Sequence, residues 1–205
     1  MRRRSRERHD SKQSLRLWRR KPWRKSRYKG RSLLQTPVDL ILVEELLERA
    51  RPGLIVESGV HEGGFSEWLA DRSEIHGLGA LVVGIDRRLP EGFGLGRRIE
   101  GFESDSLDPE TIAQVEARQV DQSSTIVFLD DDHSPSHVLR ELDVWSGVLK
   151  GGDWLIVCDT VQVRGLEAAV RRWLRENPDF EAVGRDRFGL SNHRGGWLRR
   201  KRGGR

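Results

Sequence analysis

Hydrophobic positions follow two different periods along this chain. Short apolar runs, which predict strands, cover residues 54–57, 81–86, 99–104, 125–130 and 154–159. Amphipathic stretches, which predict helices, run from Pro37 to the Pro52-Gly53 pair and lie near 65–72, 108–118, 134–146 and 165–175. Strands that alternate with helices of this length predict an α/β fold with a mostly parallel, doubly wound sheet.

The pattern changes after Pro178. No amphipathic helix separates the apolar stretches 180–188 and 196–200. Two such stretches in sequence predict a C-terminal antiparallel hairpin that extends the edge of the sheet.

Charge is unevenly distributed. Residues 1–31 hold 15 Lys/Arg against 2 Asp/Glu, whereas residues 32–198 hold 17 against 30. Residues 199–205 add five positive charges. The formal net charge of +5 therefore combines an acidic body with basic ends.

Length and charge together predict one folded domain with basic extensions. We place a disordered or docked arm at residues 1–27, one α/β domain at 28–200 and a basic tail at 201–205. The arm is too charged to contribute a core. Trp18 and Trp23 within it either pin the arm to the body or stack on nucleic acid.

Other compositional features limit the class of protein. The single cysteine, Cys158, excludes an intramolecular disulfide framework. No apolar run approaches the ~20 residues that cross a bilayer, and no apolar segment follows the early arginines as in a signal peptide. We therefore expect a cytoplasmic protein without a membrane span, and homo-oligomer formation stays open.

Glycines and an acid follow the first two predicted strands. Gly59, Gly63 and Gly64 come directly after the first strand and before a helix. Glycines let the backbone turn sharply and approach a ligand, and a helix N-terminus offers free amides. Asp86 ends the second strand, where an acid commonly accepts hydrogen bonds from ribose hydroxyls. Helix capping is the alternative role for Asp86.

The third strand leads into a second polar segment. Asp105 or Ser106 is placed to contact an adenine edge. Asp108 before Pro109 also has the form of a helix start, so capping explains part of this segment.

Acidic residues follow the fourth and fifth strands. Asp130, Asp131 and Asp132 precede His133, and Asp159 closes the neighbouring strand. Carboxylates this close repel one another unless a cation or hydrogen bonds neutralise them. Two interpretations stay open: the oxygens bind Mg²⁺, which prefers a few carboxylates plus water, or His133 pairs with a carboxylate as a general base.

Taken together, these strand ends resemble class I methyltransferases. More narrowly, the chain resembles the family named after cephalosporin hydroxylase, which includes rhamnosyl O-methyltransferases. The resemblance covers about residues 28–200, and its markers are TPVDL at 36–40, VESG at 56–59 with GG at 63–64, LDDDHS at 129–134, DT at 159–160 and GGWL at 195–198.

This resemblance implies a Rossmann-like class I methyltransferase fold and S-adenosylmethionine as cofactor. It implies that the cofactor binds at Glu57, Gly59, Gly63, Gly64 and Asp86, and we add His61, Asp105 and Asp130 to that site. It also implies a divalent metal such as Mg²⁺ near Asp130, Asp132 and Asp159. The family commonly has Glu where this chain has Cys158, which removes one carboxylate.

The implied reaction is methyl transfer to an oxygen of a small molecule or glycoside. His133 is the preferred general base with Asp130 beside it, and His61 is the weaker candidate. Two other functions stay open: a nucleic-acid methyltransferase that uses the basic arm, and a non-catalytic binding protein on the same fold.

Overall fold

The computed structural model describes residues 20–184, 187 and 189–203. Trp18 and most of the predicted arm lie outside the described residues. Residues 185, 186 and 188 of the predicted hairpin also lie outside them.

The described chain begins with a 3-10 turn at Pro22–Lys25 and a small hairpin, β1 and β2. The strands are β1 Arg27–Tyr28, β2 Arg31–Ser32, β3 Pro52–Ser58, β4 Leu81–Asp86, β5 Ile99–Glu103, β6 Ser124–Leu129, β7 Trp154–Val157, β8 Phe180–Ala182 and β9 Trp197–Arg200. The helices are α1 Pro37–Ala50, α2 Gly64–Ile75, α3 Pro109–Glu116, α4 Pro135–Val148 and α5 Leu166–Glu176.

One sheet of seven strands organises the domain, in the order β5-β4-β3-β6-β7-β9-β8. Strands β3 to β7 are parallel, whereas β9 runs antiparallel between β7 and β8. The predicted doubly wound sheet and its C-terminal antiparallel hairpin are therefore confirmed. Chain order reverses between β3 and β6, and ligands bind at such a switch point, outside the carboxyl ends of the strands.

The register aligns these carboxyl ends. Ser58 pairs with Ile85 on β4 and with Leu129 on β6, and Leu129 pairs with Val157 on β7. The residues that follow the four strands consequently share one edge of the sheet.

Several element boundaries differ from those predicted. Helix α1 ends at Ala50 because Arg51 adopts a left-handed conformation, with φ 45°. Pro52 and Gly53 then open β3 instead of only ending the helix. Strands β6 and β7 stop at Leu129 and Val157, so the carboxylates predicted to end them lie in the following loops.

Both faces of the sheet are covered, as expected for a parallel sheet. One face packs on α3, α4 and α5, with Trp145 and Trp173 in its core. The other packs on α1 and α2, with Leu46 and Trp68 in its core. Among the described residues, no helix has both the length and the apolar character to cross a membrane.

The segment before α1 packs on the domain. Trp23 is only 5% exposed. Tyr28 on β1 donates a 2.5 Å hydrogen bond to Asp71 on α2, and a Cβ at Gly64 would lie 2.1 Å from the carbonyl oxygen of Ser32 on β2. Gly64 therefore allows the small hairpin to lie against the first turn of α2.

Candidate active site

The turn after β3 depends on glycine at two positions. Gly59 has φ +86°, and a Cβ there would lie 2.4 Å from the carbonyl oxygen of Asp130. Gly63 has φ +82° and precedes the first residue of α2. Only glycine lets the end of β3 lie this close to the end of β6 and then turn into the helix.

Asp86, at the end of β4, is held by backbone amides of two loops. Its carboxylate accepts hydrogen bonds from the amide of His61 at 3.0 Å and from the amide of Arg88 at 3.2 Å. His61 itself has a left-handed backbone, with φ 53°. Asp86 thus fixes the glycine turn and keeps its remaining lone pairs for a ligand.

A cavity of about 450 Å³ opens beside Asp86. Its lining comes from four strand ends and consists of Gly59, His61, Ile85, Asp86, Arg87, Arg88, Ser104, Ser106, Asp130, Asp131 and Asp132. We name it the donor cavity, after the cofactor site that the sequence predicts at these strand ends. It brings together four of the predicted cofactor residues: Gly59, His61, Asp86 and Asp130.

Asp105 does not line the donor cavity, although the sequence places it in the cofactor site. Its carboxylate accepts the backbone amide of Leu107 at 2.9 Å and a guanidinium hydrogen bond from Arg87 at 3.2 Å. The Leu107 hydrogen bond lowers the pKa of Asp105. Ser106, the alternative from the sequence, lines the donor cavity.

A second cavity of about 280 Å³ adjoins the first. We name it the acceptor cavity, after the acceptor hydroxyl that the sequence predicts beside His133. Its lining is Ser32, Leu34, Gln35, Glu57, Gly59, Val60, His61, Phe65, Asp130, Asp131, His133 and Asp159. The two cavities share Gly59, His61, Asp130 and Asp131. They therefore meet where β3 and β6 end.

Glu57 is on the acceptor side of this junction. It is buried and accepts a hydrogen bond from the hydroxyl of Ser66. Burial raises the pKa of Glu57 well above its usual range, against the opposing effect of the Ser66 hydrogen bond. Glu57 therefore lines the acceptor cavity and not the donor cavity. Gly64 does not line the donor cavity either and lies against the small hairpin.

His133 sits between two carboxylates of the acceptor cavity. Its Nε2 lies 3.3 Å from Oδ1 of Asp130 and 3.7 Å from Oδ2 of Asp159. Its Nδ1 lies 2.8 Å from the carbonyl oxygen of Asp131, which can only accept, so Nδ1 carries a proton. Burial lowers the pKa of His133. Contact with Asp130 and the charges of Asp130 and Asp159 outweigh this effect and raise the pKa to about 9.

The three predicted metal ligands separate into two places. Asp130 and Asp159 face the acceptor cavity, where burial and repulsion by Asp130 raise the pKa of Asp159. Asp132 is exposed, lines the donor cavity and accepts the backbone amide of Ser134 at 2.9 Å. Cys158 is 1% exposed in the core and offers no oxygen. Asp130 and Asp159 are the two predicted ligands that line one cavity together, and Mg²⁺ takes one or two carboxylates and keeps several waters.

A buried cluster beneath the donor cavity was missed in the sequence. His137 Nε2 lies 3.2 Å from Asp131 Oδ2 and 3.7 Å from Glu141 Oε2, and Ser58 donates to Glu141 at 2.9 Å. Burial is the main cause that raises the pKa of Glu141, to about 8. The spacing of His137 and Glu141 on one helix face was the available signal.

This cluster has the residue types of a metal site, with its ligand atoms within 4.8 Å of one another. However, Arg140 lies 3.3 Å from Nδ1 of His137 and can only donate. The ring proton therefore sits on Nε2, facing Asp131 and Glu141. A metal would have to displace that proton, so the contacts favour a hydrogen-bonded cluster that supports Asp131.

The chain is similar to rhamnosyl O-methyltransferases of mycobacteria. It is 29% identical over 142 residues to the Rhamnosyl O-methyltransferase of Mycobacterium tuberculosis. The matched stretch covers 67% of this chain and 58% of that protein. It is 28% identical over 194 residues to the Mycobacterium leprae protein, which covers 87% of this chain and 85% of that protein. The fold is similar to that of CmcI solved with Mg and SAM, with a TM-score of 0.59, 22% identity and coverage of 86% of this chain and 77% of that chain. The family described as Rhamnosyl O-methyltransferase/CmcI matches residues 20–201, and the chain therefore belongs to that family.

Proposed function

We propose that this protein transfers a methyl group from S-adenosylmethionine to a hydroxyl oxygen of a small molecule or glycoside. The observation that carries the proposal is the junction of the donor and acceptor cavities at Gly59 and Asp130, within a chain of this family. A transfer reaction needs two ligands held side by side, with their reacting atoms close together.

The donor cavity suits a nucleoside with a cationic sulfur. Asp86 is oriented by two backbone amides and faces the cavity, as required to accept two ribose hydroxyls. Gly59 lets the backbone approach the ligand closely. When bound, S-adenosylmethionine supplies an electrophilic methyl group on a positive sulfur, and the carboxylates at the cavity junction match that charge.

His133 is placed to receive the proton of the acceptor hydroxyl. Its Nδ1 proton is held by the Asp131 carbonyl, so Nε2 is the ring nitrogen that can accept a proton, and His133 lines the acceptor cavity. Nε2 accepts a proton only in the neutral ring, and nearby positive charge from the bound donor lowers the pKa of His133 toward that state. Asp130 then stabilises the imidazolium that forms.

Asp130 and Asp159 are the residues that would hold Mg²⁺ in this site. A metal held there would supply positive charge that orients the acceptor hydroxyl and lowers its pKa. The solved structure of CmcI with Mg and SAM supports this assignment by similarity of fold.

Acidic lining of the acceptor cavity disfavours a nucleic-acid acceptor. Asp130, Asp131 and Asp159 line this cavity, and their charges would repel the phosphates of a nucleic acid. Most of the basic arm, on which that alternative rests, lies outside the described residues.

Two measurements test the proposal. Calorimetry of the purified protein should detect binding of S-adenosylmethionine and S-adenosylhomocysteine. Incubation with donor labelled on the methyl group and a panel of neutral sugars and glycosides should then yield labelled ether products. Absence of binding at millimolar donor would contradict the assignment. Binding without transfer to any hydroxyl would favour the non-catalytic alternative.

A further inference from the structure

A buried polar chain connects two distant segments to Asp130. Gln35 precedes α1 and is 5% exposed, whereas His193 precedes β9 and is 1% exposed. Hydrogen bonds run from the backbone of Asp159 through His193 and Gln35 to Asp130, and we call this set the Gln35–His193 relay. Buried polar groups are retained at little cost only when each is hydrogen-bonded.

The first contact fixes the proton on His193. The backbone amide of Asp159 lies 3.0 Å from His193 Nδ1. A backbone N–H can only donate, so Nδ1 must offer its lone pair and carries no proton. The ring is therefore neutral, and its single N–H is on Nε2.

The second contact fixes the orientation of the Gln35 amide. His193 Nε2 lies 3.0 Å from Gln35 Oε1, and because Nε2 is the donor, the amide oxygen must face it. The NH₂ group of Gln35 is consequently directed at Oδ2 of Asp130, 2.8 Å away. The direction of every hydrogen bond in the relay therefore follows from the backbone amide of Asp159.

A buried carboxylate anchors both segments. Asp39 is fully buried and accepts hydrogen bonds from the hydroxyl of Thr36 at 2.6 Å, the hydroxyl of Ser191 at 2.5 Å and the amide of Asn192 at 3.1 Å. These contacts join the chain beside Gln35 to the chain beside His193. The relay therefore has little freedom to adopt another arrangement.

One consequence concerns the two oxygens of Asp130. Oδ2 is occupied by the Gln35 amide, and Oδ1 faces His133 at 3.3 Å. The Gln35 hydrogen bond therefore holds the carboxylate in one orientation, with Oδ1 toward His133.

We infer that Gln35 and His193 are positioning residues that act on methyl transfer through Asp130. The inference rests on the proposed function, because it assigns Asp130 and His133 to the reaction. It adds that residues outside the acidic motif hold Asp130 in its working orientation.

The tautomer of His193 tests the relay without any turnover. Long-range ¹H–¹⁵N spectra of wild-type protein at pH 7 should show His193 neutral, with Nε2 protonated and Nδ1 bare. Loss of the signal in His193→Gln assigns it, and His76, paired with Glu44 away from the site, serves as the reference imidazole. An imidazolium, or a proton on Nδ1, would overturn the inference whether or not the protein transfers methyl groups.

Kinetics test the action through Asp130. Gln35→Leu and His193→Leu should each lower kcat about 10–100-fold, the scale of a misplaced catalytic group, while the donor Kd changes less than about threefold. His193→Gln keeps a donor toward Gln35 and should recover most of kcat. The double Leu variant should lose little more than either single variant, because both break one chain.

A buried residue away from both cavities provides the control. Ser73 accepts the amide of Ala80 at 2.9 Å, and Ser73→Ala should lower the melting temperature but leave kcat unchanged. Fully additive losses in the double Leu variant, or an unchanged kcat in Gln35→Leu, would overturn the positioning role. Absence of transfer in wild type would instead refute the proposed function, and the tautomer would still decide the relay.

Discussion

His133 Nε2 lies 3.3 Å from Oδ1 of Asp130, and this contact links the protonation of the imidazole to the neighbouring carboxylate. The pair holds the pKa of His133 at about 9, against burial, which lowers it. In the protein without donor, the ring is therefore charged at neutral pH. In the proposed reaction, positive charge from the bound donor and from a divalent cation would lower this pKa before His133 accepts a proton.

Substitution of Asp130 should lower the pKa of His133. In Asp130→Asn without donor or metal, the pKa of His133 should fall from about 9 toward or below the ordinary 6.5, and NMR titration measures it. A folded-state pKa above the unfolded value stabilises the protein fully below about pH 6.5 and loses this effect as pH rises through about 9. The stability difference between wild type and variant should therefore shrink over that window. An unchanged pKa in the variant would contradict the pairing.

Asp86 should accept hydrogen bonds from the ribose hydroxyls of S-adenosylmethionine. Asp86→Ala removes the acceptor of the donor cavity and should weaken binding of S-adenosylmethionine by about 1–3 kcal/mol, the cost of polar groups left unpaired. Asp105→Ala is the matched control, because that carboxylate lies outside the cavity lining. Calorimetry on both variants measures the difference. Equal losses would show that the contact is not specific to Asp86.

Divalent metal should stabilise the protein through Asp130 and Asp159. Mg²⁺ or Mn²⁺ should raise the melting temperature by mass action, and Asp130→Asn or Asp159→Asn should abolish the rise. Asp132→Asn should retain it, because Asp132 faces the donor cavity and accepts the Ser134 amide. If neither metal raises the melting temperature of the wild type and transfer proceeds in the presence of a chelator, the reaction does not need the metal.

Trp23 should contribute to stability. A protein starting at residue 20 should melt as the full chain does, whereas one starting at residue 28 loses a side chain that is 5% exposed. Trp23→Ala should cost ~3–5 kcal/mol, typical of a buried tryptophan. The sequence alone predicts that residues 1–27 are dispensable, and the burial of Trp23 now places the expected boundary before Pro22. Equal denaturant midpoints for both truncated proteins would restore the original boundary.

Features that depend on residues close together in the chain were predictable from the sequence. Apolar periods predicted the strands and helices, because each period matches one backbone geometry. The glycine turn and the acids after each strand predicted a site at one sheet edge, because parallel strands bring their carboxyl ends together. Gly59, Asp86, Asp130, His133 and Asp159 all line a cavity as this argument implies.

The grouping of these acids needed the tertiary structure. Asp130 and Asp132 are two residues apart and both line the donor cavity, yet only Asp130 also lines the acceptor cavity, because the loop after β6 turns Asp132 toward the Ser134 amide. Gly64 and Asp105 have residue types that suit a cofactor site, but one allows hairpin packing and the other accepts a nearby amide.

Long-range partners were beyond any local pattern. Gln35 and His193 are separated by 158 positions, and neither lies at the end of a parallel strand. Their pairing arises only after α1 and the segment before β9 meet over buried Asp39. The sequence by itself determined the fold and the edge that carries the site, because both follow from local periodicity and strand direction. Tertiary structure alone decided which side chains support Asp130, because those contacts form only when distant segments pack together.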